Sequence, residues 1–212
     1  MYLPQAFLED RLQVLHDAIR GCGLGLLITV TAEGPAATPV PMLLDPTAGE
    51  KGTLHAHVAR ANRQWRDTLP GSRALAVFAG PNAYVSPGWY PSKQETGRVV
   101  PTWNYITVQA GGVPTFFEDA DRLRALVERL TARQESGRAR PWSVSDAPEP
   151  FIAQQLRAIV GVTLPIDRLE GKWKLSQNRS EQDRRGVIEG LAAEPGEAAA
   201  AIRAAMIAGG ES

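Results

Sequence analysis

The stretch from Leu54 to Trp65, LHAHVARANRQW, begins like a strand and ends like a helix. Alternate residues of a strand share a face, so His55 and His57 point together. Two histidines can hold a metal, but no third ligand of known spacing lies nearby, and His16 belongs to an earlier helical segment. One of the pair could instead ligate haem. After the strand the chain turns through Ala59-Arg60-Ala61-Asn62 into a helix start, where unpaired backbone N–H groups attract anions. Asn62 stands where an N-cap is needed. Arg60 adds a fixed charge with bidentate geometry suited to phosphate. The combination fits a phosphomonoester cradle. The plain alternative is that Arg60 and Arg63 are solvated and Asn62 only caps the helix.

Upstream of this corner, residues 5–20 read as a helix with Leu8, Leu12, Leu15 and Ile19 on one face, ended by Gly21 and Gly23. GLGLLITVT suits a buried strand. AATPVPMLLD resumes in extended form, with Pro39 and Pro41 limiting it to an edge or to one-sided pairing. Downstream, RALAVFAG and NAYVSP read as two short strands joined at Gly80-Pro81. Residues 87–101 form a long loop, and TWNYITVQAGG with VPTFFE reads as a hairpin turning near Gly111-Gly112. DADRLRALVERLTARQ is an amphipathic helix, PFIAQQLRAIVG another, and VTLPIDRLEGKWKL returns to strand. Helices over about 181–192 and 196–208 close the chain. Many short strands with few helical interruptions favour an α+β fold built on a small closed β-barrel, with peripheral and C-terminal helices.

Two further clusters carry chemistry. Trp89 and Tyr90, in the Pro-Gly loop SPGWYP, read as a cover for a planar ligand or a partner subunit. Trp103 and Tyr105 share one strand face and Asn104 takes the other, where its amide needs a partner. In EGKWKLSQNRSEQDRRG, Lys172 and Lys174 share a face opposite Trp173, followed by Gln177 and Arg179. Such a run is usually a solvated strand end, and otherwise a second anion-binding edge or a nucleic-acid patch with aromatic help.

The chain of 212 residues carries 23 basic and 23 acidic side chains. That balance counts against direct DNA binding: a nucleic-acid surface would have to be local or built by dimerisation. One cysteine, Cys22, forms no internal disulfide. No signal-peptide pattern and no membrane-length apolar run appears, so the chain reads as soluble and cytoplasmic, with no membrane partner. There is no P-loop, dinucleotide fingerprint or G-x-S-x-G elbow.

HVARANRQW, GPNAYVSPGWY, VPTWNYITVQAGG, IVGVTLPIDRLEGKWKLSQNR and GVIEGL, in this order, resemble the PaiB-type FMN-binding negative transcriptional regulators. The resemblance implies a split β-barrel of the FMN-binding oxidase type, working as a homodimer with flavin in a groove between subunits. It implies that His57, Arg60 and Asn62 lie on the phosphate side of FMN, with Trp65 as packing support. It makes Trp103, Asn104, Lys172, Lys174, Gln177 and Arg179 candidates for the ring side or the dimer groove. Ala56 and Arg63 stand where family members often have glycine and proline. The expected organisation is a split-barrel domain over residues 1–178, with a helical insertion at about 119–160, and a helical tail over 179–212. The expected function is a flavin-binding regulator that senses redox state or a metabolite. An FMN-dependent oxidoreductase and a haem protein are the alternatives.

Overall fold

The computed structural model describes residues 1–209. It divides into two compact units. One comprises residues 16–78 and 109–169; the other comprises 1–15, 79–108 and 170–209.

The first unit is built on antiparallel strands. β2 (Leu24–Thr31), β3 (Gly34–Asp45), β4 (Thr53–Ala59) and β8 (Ile159–Pro165) lie side by side in that order. β7 (Thr115–Phe117) follows beyond β8, and the start of β5 (Ala74–Val85) flanks β2. Alternation sets the faces. Leu27, Val40, Met42, Leu54, Ala56, Val58, Val160, Val162 and Leu164 are buried. Ala56 therefore directs its methyl into the core, away from the face that carries His55 and His57. β3 is satisfied on one side at a time. Its proline-rich half pairs with β2, placing Pro39 opposite Leu26 and Pro41 opposite Leu24, and only Met42 to Asp45 pair with β4. The missing proline donors thus cost no ladder bond on a second side.

Helices α4 (Ala120–Glu135) and α5 (Glu149–Arg157) cover the outer face of β3, β7 and β8. Asp119 caps α4 by accepting from the N–H of Arg122. Leu126 and Leu130 of α4 bury against Leu43, and Leu123 packs with Val144, Ile152 and Leu156. Burying each such leucine contributes about 1.5–3 kcal/mol.

The second unit holds β1 (Leu8–Glu9), most of β9 (Arg168–Lys174), the first part of β6 (Thr102–Gly112) and the end of β5, adjacent in that order. Two helices, α6 (Glu181–Ala193) and α7 (Glu197–Ala208), supply its core. Val187, Leu191, Ile202 and Met206 pack with Val85, Tyr90 and Leu175.

Several expectations are corrected. The N-terminal segment is a 3₁₀ turn and β1 before helix α1, which spans only Leu12–Cys22. Leu8 and Leu12 are exposed while Leu15 and Ile19 are buried. Glu9 ends the strand by accepting from Arg11 through both its backbone and its guanidinium. The two strands expected around Gly80-Pro81 are one continuous β5. The hairpin expected at Gly111-Gly112 does not form: both glycines lie within β6, and β7 pairs with β8. A Cβ at Gly112 would fall 2.0 Å from the Pro165 carbonyl oxygen, so glycine serves a close strand approach there, not a turn. The loop at 87–101 carries a 3₁₀ turn at Pro87–Trp89 and a short helix α3 (Ser92–Thr96). Its Tyr90 is 2% exposed and Trp89 packs on the same core. The pair is interior packing, not a cover for a ligand.

Candidate functional site

The polar corner follows β4. Arg60 N–H donates to the Ala158 carbonyl at 2.8 Å, and Asn62 N–H to Ala59 at 2.9 Å. A one-turn helix, α2 (Gln64–Asp67), begins directly afterwards. Asn62 Oδ1 accepts from the N–H of Gln64 at 2.9 Å, and Asn62 Nδ2 donates to Thr38 Oγ1 at 2.9 Å. Asn62 therefore caps from one position earlier than a formal N-cap and ties the turn to β3. Trp65 Nε1 donates to the Arg60 carbonyl at 3.0 Å, fixing the corner from the other side. Arg63, 79% exposed at its side chain, pairs with Asp67 one turn on.

The key of this corner is Gln64, which the sequence reading passed over. It is buried. Its Nε2 donates to the carbonyls of Leu27 and Ala36 and to Thr29 Oγ1, all at 3.1 Å, and its Oε1 accepts from Thr38 Oγ1 at 2.5 Å. Two threonines set within largely apolar strands, Thr29 in β2 and Thr38 in β3, are the sequence signal of this network. Their partner lies far along the chain, so periodicity does not reveal it.

Arg60 is held in place. Its Nε donates to the Arg157 carbonyl at 2.6 Å, its Nη2 to the Ile159 carbonyl at 3.4 Å, and its Nη1 meets the carboxylate of Glu118. Glu118 is half exposed. The guanidinium borders an open cavity of about 400 Å³, whose rim also carries Arg124, Glu149 and Arg157.

His55 and His57 share the outer face of β4, as expected. His57 lies opposite Gly161 and His55 opposite Thr163. Burial pushes the His57 imidazole below its ordinary pKa. Burial also lowers His55, Arg129 and Arg122 add to that, and Asp45 opposes it. Both rings are thus biased toward the neutral form. His57 Nδ1 and Thr163 Oγ1 are buried with no hydrogen-bond partner among the described residues. No group of three potential metal ligands occurs among the described residues.

The remaining candidates lie in the other unit. Asn104 is fully buried and its amide is occupied: Nδ2 donates to Ser176 Oγ at 3.0 Å and lies 3.5 Å from Met206 Sδ. Lys172 Nζ donates to the Tyr2 carbonyl at 3.0 Å between the rings of Tyr2 and Tyr105. Lys174 Nζ donates to Thr102 Oγ1 at 2.7 Å and to the Trp103 carbonyl. Burial, with Lys172 and Arg179 nearby, lowers its pKa. Gln177 closes a local turn, accepting from Leu175 N–H and donating to the Trp173 carbonyl. Arg179 stacks over the Tyr90 ring at 4.9 Å. Trp103 is 53% exposed. The structure thus gathers His57, Arg60, Asn62 and Trp65 in one unit and Trp103, Asn104, Lys172, Lys174, Gln177 and Arg179 in the other.

Comparison with known proteins agrees with the sequence resemblance. Residues 1–168 match the family described as "Putative FMN-binding domain". An uncharacterized protein of Aspergillus fumigatus is 34% identical, over 90% of each chain. The protease synthase and sporulation protein PAI 2 of Bacillus subtilis is 29% identical, over 90% of this chain and 89% of its own. Among solved structures, the flavocytochrome Anf3 of Azotobacter vinelandii superposes with a TM-score of 0.56 at 13% identity, covering 84% of this chain and 75% of that one. Likeness at this identity is a statement about fold: α+β, of the split β-barrel type.

Proposed function

Because the chain belongs to the FMN-binding family whose pattern spans residues 1–168, we propose that it is a flavin-dependent regulatory protein of the PaiB type, a homodimer that holds the FMN phosphate at the corner after β4. The cofactor is FMN. When bound, FMN supplies a redox-active ring system; the chain's part is to bind, orient and shield it.

The observation that carries the phosphate assignment is the orphaned, buried Nδ1 of His57. A buried polar atom without a partner is costly unless a ligand or water satisfies it. The surrounding groups fit a phosphate ester. His57 offers a neutral ring nitrogen. Arg60 offers a guanidinium already aimed by two carbonyls, and its charged partner is the half-exposed Glu118, which a phosphate of higher charge can displace. Asn62 and Trp65 shape the turn that carries Arg60.

An apolar strip supports the homodimer. Leu24, Leu26, Ile28 and Val30 of β2 face outward, opposite Pro41, Pro39, Ala37 and Pro35 of β3. Leu75 and Val77 of β5 extend the strip. Leu24 is 57% and Val30 43% exposed. An unbroken apolar face of this kind on a sheet marks an interaction surface. The regulatory half of the reading rests on the sequence resemblance to the PaiB-type regulators, with which the 29% identity to PAI 2 of Bacillus subtilis agrees. With formal charge balanced, regulation runs through a partner or a small molecule. No helix among the described residues is long and apolar enough to cross a membrane.

The test is an absorption spectrum of the purified protein followed by titration with FMN. Flavin bands, or quenching of flavin fluorescence, support the reading. No binding at micromolar FMN sinks it. Bleaching of bound flavin by NADH or NADPH with recovery in air favours an oxidoreductase. Retardation of a promoter fragment that weakens steeply with salt favours direct DNA binding.

A further inference from the structure

Tyr84 of β5 and Trp103 of β6 stand on the outward face of neighbouring strands. Their ring centroids are 6.1 Å apart and their planes meet at 73°. Tyr84 is 47% exposed and Trp103 53%. Side chains this large and this exposed gain little from folding where they stand, and paired aromatics on a surface mark a recognition site. They wall an open depression of about 220 Å³ whose opposite rim is the turn between α6 and α7, with Glu194 and Pro195. Asn82, two residues before Tyr84 and on the same strand face, adds a carbonyl.

The charge of the depression has one sign. Glu194 is the charged side chain of its lining, and no lysine or arginine among the described residues lines it. Glu194 is also the C-cap of α6, where the helix dipole presents its negative end. The first turn of α7 borders the same space, but Glu197 in that turn offsets the positive end of that helix. Lys174 approaches Trp103 only to donate to Thr102 Oγ1 and the Trp103 carbonyl. The two rings meet edge to face, and the ring face left open beside a carboxylate attracts an organic cation through its quadrupole and repels an anion.

We propose that the Tyr84–Trp103 corner binds an organic ammonium ion, a quaternary or methylated amine seated against the aromatic pair with Glu194 balancing its charge. The site is formed without any residue of the β4 corner. It gives the protein a small-molecule input separate from its cofactor.

The experiment is calorimetric titration of the full chain, as purified, with choline and with 3,3-dimethyl-1-butanol, its uncharged isostere. Choline should bind at least about tenfold tighter than the isostere. Trp103→Ala and Glu194→Gln should each weaken choline by about fivefold to tenfold. Tyr84→Ala should act in the same direction. Glu194→Gln should leave FMN affinity unchanged. Equal binding of the isostere would overturn the proposal by reducing the corner to an apolar patch. So would absence of choline binding, or binding indifferent to Trp103→Ala and Glu194→Gln. Loss of FMN but not choline binding in Trp103→Ala would overturn it too, by assigning Trp103 to the flavin.

Discussion

The Trp89 indole lies flat against Gly190 of α6, so close that a Cβ at residue 190 would sit 2.2 Å from its Cδ2. One turn earlier on the same helix, a Cβ at Gly186 would fall 2.0 Å from the Trp89 carbonyl oxygen. Two glycines spaced i, i+4 make a smooth groove on α6 for a loop that the sequence presents as unstructured. The contact is reinforced where Asp183 accepts from both the N–H and the hydroxyl of Ser92. Gly190→Ala should therefore destabilise the protein by about 1–3 kcal/mol through overpacking, although alanine is the better helix former. Denaturant unfolding of Gly190→Ala, Trp89→Ala and the double variant reads the coupling. Strict additivity would show that the two residues do not meet.

Arg60→Ala should weaken FMN binding by roughly 1.5–3 kcal/mol, the worth of one charge-assisted contact. Glu118→Gln should shift affinity the other way, because it removes the competitor for the guanidinium. Fluorescence titration measures both. If neither variant changes affinity, the phosphate lies elsewhere.

Stability should fall as pH drops below neutrality. The folded pKa of His57 lies below its unfolded value of about 6.5. The native state then binds fewer protons than the unfolded chain between those two values. Stability from this group is fully present above the unfolded pKa and is lost as pH falls through the folded one. His55 adds in the same direction. Melting curves from pH 7.5 to 5 should show the loss, and His57→Asn should shrink it. A pH slope identical in wild type and His57→Asn would remove this residue as its source.

Asn104→Ala should cost about 1–3 kcal/mol, since it leaves the buried Ser176 hydroxyl without its partner. Ser176 is held at φ 64°, in the left-handed region that non-glycine residues seldom occupy. Circular dichroism through a urea titration is sufficient. A cost below about 0.5 kcal/mol would mean that water replaces the amide.

Ile28→Glu, at the centre of the outward apolar strip, should give a monomer in sedimentation velocity, and the parent the proposed dimer, because a carboxylate buried across a two-fold contact meets no partner. An unchanged sedimentation coefficient would move the interface off this face.

Local patterns foretold much of this. The strand running into a polar corner at residues 54–65, the long amphipathic helix now seen at Ala120–Glu135 and the two closing helices all follow from rules acting within a few residues. So does the one-sided pairing of the proline-rich β3. Where a residue answers to a distant one, those rules misread it. Gly112 looks like a turn because glycines usually make turns; it is a strand residue because the Pro165 carbonyl leaves no room for a Cβ. Tyr90 looks like a lid because it follows Pro-Gly; it is core because α6 and α7 return to cover it.

The site divides the same way. The sequence by itself determined which residue types crowd the corner, and that His55 and His57 share a face, since strand alternation is intrinsic to the backbone. Only the tertiary structure decided which of those polar atoms are already spent. Arg60 is committed to Glu118 and to the carbonyls of Arg157 and Ile159, across 58, 97 and 99 residues of chain. Gln64 is committed to four strand positions. His57 Nδ1 is buried without a hydrogen-bond partner among the described residues. Hydrogen-bond satisfaction depends on which segments the folded chain brings within about 3 Å of one another, and no local rule carries that information.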